Sequence, residues 1–184
     1  IMVRQDRREI LRKHFMRLGW SMLPLLVAIG TTAHADDAAM AKSAKTLPEQ
    51  VRKANDRFTN VETAVREGYA PIPCASGIEG GAMGIHYVNG NLIKDDKVEL
   101  GKPEAVMYEP GPDGRMKLVA VEYITTKGPA ALGGQLFSFT GAPNRYGLPA
   151  FYELHVWAWR DNPKGAFADM NPTVSCAHAH EMSN

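Results

Sequence analysis

Between Val51 and Val65 the apolar residues fall at spacings of three and four, with Val51, Ala54, Phe58, Val61 and Val65 on one helical stripe. Thr46 or Leu47, followed by Pro48 and Glu49, predicts where that helix starts, because proline suits the first helical turn. Thr59 with Glu62 three residues later has the form of a second capping box, which would split the stretch into two short helices. Gly68 predicts its end. The stripe reads as core packing, with no ligand set in it.

Beyond Tyr69 the period shortens to two. The runs Ala82 to Val88, Ala105 to Glu109, Met116 to Thr125 and Phe151 to Trp159 are rich in branched and aromatic residues and are bounded by proline and glycine. Gln135 to Phe139 is a weaker run. Pro112-Asp113-Gly114 predicts the turn of a hairpin between the second and third runs. Asn162-Pro163-Lys164-Gly165 closes the last run, and the tail from Phe167 is expected to lie across the surface. The sum is an α+β chain, mainly β: an N-terminal helical segment followed by an antiparallel β-barrel or sandwich.

Ahead of the helix the pattern is neither helical nor β. Arg4, Arg7, Arg8, Arg12, Lys13 and Arg17 precede an apolar run from Trp20 to Ile29, and Ala33-His34-Ala35 follows. A basic stretch, a short apolar core and a small-x-small site make up a secretory signal peptide, with cleavage expected after Ala35. The core is shorter than the ~20 apolar residues of a membrane span, so no stable span is expected in the mature protein. Met16 offers an alternative start, Arg7-Arg8 resembles a twin-arginine signal, and cleavage after Ala33 would instead leave His34 as an N-terminal copper ligand. The expected organisation is a signal peptide over 1–35, a flexible segment over 36–46 and one β-rich globular domain over 47–184, in the periplasm or outside the cell.

Removing the signal changes the charge picture. The 184 residues carry 21 basic and 20 acidic side chains, a net +1. Residues 36–184 retain 15 and 18, a net −3. No basic surface remains to suggest nucleic acid as a partner; a small molecule or a metal ion fits better. The two cysteines, Cys74 and Cys176, read as a disulfide in an oxidising compartment, with thiolate ligation or nucleophilic chemistry as the alternative.

Strand alternation supplies the candidate site. In the run from Met116 to Ile124 the residues Met116, Leu118, Ala120, Glu122 and Ile124 are expected on one face, which sets Glu122 among apolar neighbours. A buried carboxylate must be paired, protonated or metal-bound. In the last run Phe151, Glu153, His155, Trp157 and Trp159 share a face, and in the first Gly84, His86 and Val88 do. The small residues from Gly80 to Gly84 leave room there for a ligand or another backbone. His86, Glu122 and His155 together form a set that suits Zn, Cu, Fe or Ni, with Glu79 or Glu153 as an additional ligand or supporting group. The alternative for Glu122 is an ion pair with Arg145 or Arg160. Tyr87, Tyr123, Trp157 and Trp159 are candidates for lining a ligand cavity, and His178 with His180 for a loose copper or nickel site.

The segments Gly81 to Asn89 (GAMGIHYVN), Lys102 to Pro110 (KPEAVMYEP), Leu118 to Tyr123 (LVAVEY), Glu153 to Trp157 (ELHVW) and Asn171 to Cys176 (NPTVSC) resemble a family of uncharacterised secreted bacterial proteins. The resemblance implies export and a shared β-rich fold, and lends no catalytic residues. A metal-binding cupin is the nearest named analogy, although the His-x-His pair and following Glu of a cupin strand are missing. Three readings follow: an exported metal-binding β-barrel protein, with a mononuclear metalloenzyme of unknown substrate as one form of it; a non-catalytic module binding a small ligand in a Trp/Tyr-lined cavity; and a structural or interaction protein.

Overall fold

The computed structural model describes residues 45–77 and 80–179. The expected signal peptide, Glu79 and His180 lie outside the described residues. Helix α1 (Leu47–Asn55) leads through a 3-10 turn (Asp56–Thr59) into α2 (Val61–Arg66). Thr46 caps α1: its side chain accepts from the Glu49 N–H, and the Glu49 carboxylate accepts from the Thr46 N–H at 2.7 Å. The split into two helices is present, but the second cap is Asn60, whose Oδ1 accepts from the Glu62 N–H at 2.9 Å. Thr59 instead donates its hydroxyl to the Asp56 carbonyl.

The strands are β1 (Ala70–Ser76), β2 (Ala82–Val88), β3 (Ala105–Pro110), β4 (Met116–Thr125), β5 (Ala131–Leu132), β6 (Gln135–Leu136), β7 (Ser138–Thr140) and β8 (Phe151–Val156). Six of them form an antiparallel sheet in the order β1-β2-β3-β4-β8-β7, curled into a half-barrel, and β5 pairs with β6 separately. Two elements carry no clear periodic signal. β1 contains Pro71 and Pro73, which cannot donate to a ladder and confine it to the edge it occupies. The six-residue helix α3 (Gly90–Asp95) is too short to show a stripe; Asn89 caps it. The weak run from Gln135 divides, because Phe137 turns inward and is buried between β6 and β7.

Both faces of the sheet are covered. On one, Leu47, Val51, Phe58 and Ala64 of the helical segment meet Tyr87, Val106, Tyr108, Val121, Tyr123, Leu154 and Val156. Fully burying a side chain such as Phe58 contributes roughly 1.5–3 kcal/mol. The other face carries Met107, Ala120 and Trp157, against which Val174 of the tail packs. A bulge in β4 separates the two. Met107 pairs with Ala120 but Tyr108 pairs with Leu118, so Val119 is an extra residue. The even residues of β4 therefore do not share one face, as simple alternation predicts. Leu118 joins the helix-side core, while Ala120 stays on the opposite face.

The tail is held more tightly than a surface crossing. Asn171 is fully buried and exchanges two main-chain hydrogen bonds with Ala82, each 3.1 Å. Gly81, at φ +87°, lets that backbone approach; a Cβ there would collide with Asn171. The room left by the glycines thus admits another stretch of chain. Cys74 and Cys176 form the expected disulfide across 102 positions. Away from these contacts, Glu104 is fully buried with one oxygen accepting from the Ile124 N–H at 2.8 Å and the other without a partner. Burial pushes its carboxyl up to about 8, with the nearby Asp95 and Asp96 adding to the rise.

Replacing both cysteines by serine should lower stability by about 3–5 kcal/mol in urea titrations, the scale expected for releasing so long a loop. For Glu104 the folded value lies above the ordinary 4.5, so its proton stabilises the fold fully below that pH and the contribution is lost as pH rises through about 8. Glu104→Gln should therefore be more stable than the parent at pH 8 by a few kcal/mol and flatten the decline between pH 5 and 8, measured as the difference between the two proteins.

Candidate metal centre

The register of the sheet assembles the site on the face away from the helices. Glu122 of β4 pairs directly with His155 of β8. His86 approaches from β2, two strands away, with β3 between; the β3 residue opposite Glu122 is Ala105, whose small side chain leaves the space above it open. His86 Nε2 lies 3.4 Å from Glu122 Oε2, and His155 Nε2 lies 3.8 Å from the same oxygen. One donor atom from each residue falls within 4.8 Å of the others. The imidazoles stand edge to face, with centroids 6.2 Å apart. All three side chains are buried.

His86 Nε2 and His155 Nε2 make no hydrogen bond, and neither does the other carboxylate oxygen, Glu122 Oε1. Glu122 Oε2 accepts from the Tyr146 hydroxyl. Burial drives the Glu122 carboxyl well above its ordinary range; His155 and the Tyr146 bond only partly offset this. Burial also pushes His86 well below the usual imidazole value, and Arg145 and His155 add to that. His155 goes the other way. Burial works against its charge, but Glu122, Asp169 and Glu153 outweigh it and raise the ring to about 9. Its Nδ1 sits 3.4 Å from Asp169 Oδ1, close enough to attract without a well-aligned hydrogen bond.

The loop over 141–150 closes the site. Asn144 braces it, with Nδ2 donating to the Leu148 carbonyl and Oδ1 accepting from the Tyr146 and Leu148 N–H groups. Tyr146 packs edge-on against Phe151 and His86. Arg145 Nη1 stands 3.2 Å from His86 Nδ1, and its Nη2 donates to the Pro73 carbonyl. Glu153 lies one step along β8 from His155, on the same face but outside the three-residue group, and accepts from the Thr140 hydroxyl. Together with Met83, Arg145 and Tyr146 it lines a cavity of about 470 Å³.

No family model, no curated protein and no solved structure matches this chain. The site is therefore read from its own geometry.

His86, Glu122 and His155 are brought together as alternation suggests. Neither arginine considered as a partner for Glu122 takes that role: Arg145 turns to His86, and Arg160 pairs with Glu109. The four aromatic residues do not come together. Tyr87 and Tyr123 lie in the helix-side core, where Tyr123 donates its hydroxyl to the Leu100 carbonyl at 2.7 Å. Trp157 is buried on the site face with its indole N–H on the Ala168 carbonyl, and Trp159 reaches Asp56 across the helix side. Both tryptophans lie beyond β8, which ends at Val156. His178, half-buried, belongs to the final turns of the tail. Arg145, Tyr146 and Asp169 escape periodicity because they sit in irregular chain, and Thr140 because its strand β7 is only three residues long; the signal for the first two is a proline- and glycine-flanked loop carrying Asn-Arg-Tyr.

Tyr146→Phe removes the one hydroxyl on Glu122 and leaves a buried carboxyl oxygen unpaired. Thermal or urea unfolding should register a loss of about 1–3 kcal/mol, with the fold retained by circular dichroism.

Proposed function

We propose that this chain is an exported metal-binding β half-barrel protein that holds one divalent transition ion through His86, Glu122 and His155. The observation that carries the proposal is the convergence of two buried, unpartnered imidazole nitrogens on one buried carboxylate, each from a different strand. Buried polar atoms without partners are costly, and a cation would satisfy both nitrogens and the charge of the carboxylate at once. Two imidazoles and one carboxylate suit Zn, Cu, Fe or Ni.

Such a set leaves coordination positions free. A bound ion would there supply Lewis acidity and lower the pKa of a water, which makes a mononuclear metalloenzyme the natural extension of the proposal. The chain's own residues have separable tasks. Tyr146 orients the Glu122 carboxylate by its hydroxyl, and Asp169 faces His155 Nδ1 from the far side of the ring, where it favours the proton on Nδ1 and a bare Nε2. Glu153, held by Thr140 on the wall of the 470 Å³ cavity, is placed to exchange a proton with a small molecule in it. The disulfide supports an oxidising, extracytoplasmic setting, as do the basic and apolar pattern of residues 1–35 and the resemblance to secreted bacterial proteins. No helix among the described residues is long and apolar enough to cross a membrane.

Purified protein loaded with zinc and dialysed should retain one ion per chain by elemental analysis. His86→Ala and His155→Ala should each weaken zinc at least about 100-fold by calorimetry. Substoichiometric metal in the parent, or unchanged retention in both variants, would sink the proposal.

A further inference from the structure

Arg145 and Glu153 both line the cavity of about 470 Å³ beside the metal centre, yet they are not paired with each other. Among the described residues Arg145 has no carboxylate partner, whereas Arg57, Arg66, Arg115 and Arg160 each have one. It is held in place all the same. Its Nη2 donates to the Pro73 carbonyl, its Nη1 stands 3.2 Å from the His86 ring and 3.9 Å from Met83 Sδ, and its guanidinium carbon lies 5.7 Å from the Tyr146 ring centroid. A guanidinium is always charged and carries five N–H donors. None of these contacts uses the Nε–H. A fixed guanidinium with donors to spare, at the edge of a cavity, suits a planar anion, above all a carboxylate. The Glu153 wall has the opposite need. Glu153 accepts from the Thr140 hydroxyl and lies beside Glu122, which accepts from the Tyr146 hydroxyl. The two carboxyl groups offer more oxygens than those two hydroxyls fill, so a guest on this wall gains by donating a hydrogen bond and loses by bringing another bare anion.

Resting on the metal reading above for its place in the chemistry, we propose that this cavity takes a small organic acid that carries a hydroxyl or amino donor, with its carboxylate on Arg145 and its donor on Glu153. Arg145 selects the acid and Glu153 selects the donor. The volume is in the range of small-molecule sites. Arg145 is exposed, so an acid in solution meets it first. Among the described residues it is also the one cationic side chain on the cavity wall. A phosphate-like anion, with several acceptor oxygens to satisfy, therefore fits less well than a carboxylate.

The test is calorimetry and ligand-observed NMR on the purified protein, both metal-free and after exposure to zinc. The probes are glycolate, 4-hydroxybutyrate, glycine and 4-aminobutyrate, compared with butyrate, 1-butanol and inorganic phosphate. At least one of the first four should bind about tenfold more tightly than each of the last three, and whether it carries a hydroxyl or an amine identifies the donor. Arg145→Gln should weaken that probe by about tenfold or more, and Arg145→Lys should fall between, since it keeps the charge and loses the planar fork. Glu153→Met should erase the margin over butyrate. Circular dichroism checks each fold, and the exposed Arg145 keeps the test in force if Glu153→Met does not fold. No binding of the four acids, equal binding by Arg145→Gln, or no margin over butyrate and phosphate would overturn the proposal. Zinc retention without acid binding would do so while leaving the metal site standing. Acid binding by protein that retains no zinc would overturn the metal site and leave the acid-binding cavity standing.

Discussion

Removing Glu122 from water is the constraint around which one face of this sheet is organised. An isolated carboxylate in an apolar interior costs several kcal/mol, so it persists only with partners. Each surrounding element supplies one. β8 places His155 directly opposite, β2 brings His86 over the small Ala105, and the 141–150 loop lowers the Tyr146 hydroxyl onto the carboxylate. Without a cation, the balance rests on a charged His155 beside Glu122, with Asp169 behind it. That arrangement still leaves His86 Nε2 and one Glu122 oxygen without a hydrogen bond.

Much of this was legible in the chain. Glu122 stood out because alternation set a charged residue in an apolar row, and His86 and His155 stood out on strands of the same type. What alternation reports is a face, not a neighbour. It could not say that Glu122 and His155 would be in register, nor that Ala105 would open the path from His86. It also erred where the ladder is irregular: the extra residue at Val119 turns Leu118 and Ala120 to opposite faces, which no period-two pattern contains.

The aromatic residues teach the converse. Tyr87 follows His86 and Tyr123 follows Glu122, so a strand that points the ligands toward the site sends these tyrosines to the helix side. Their exclusion from the site was implicit in the same alternation that found Glu122. Trp157 has the parity of His155, but the strand stops first, where the Trp157 N–H turns to the Ala166 carbonyl. Arg145, Tyr146 and Asp169 lie in chain without regular period, and only the folded arrangement brings them to the histidines.

A half-barrel, unlike a closed one, keeps two open strand edges, and an open edge is a template on which other chains can add. Here both are blunted. At one, Pro71 and Pro73 interrupt the row of donors along β1, and the disulfide ties the tail alongside. At the other, β7 offers only the three residues Ser138–Thr140, too short to seed a long foreign ladder, although Phe139 is exposed on it. The sheet can therefore stay unclosed while resisting the edge-to-edge growth that leads to fibrils.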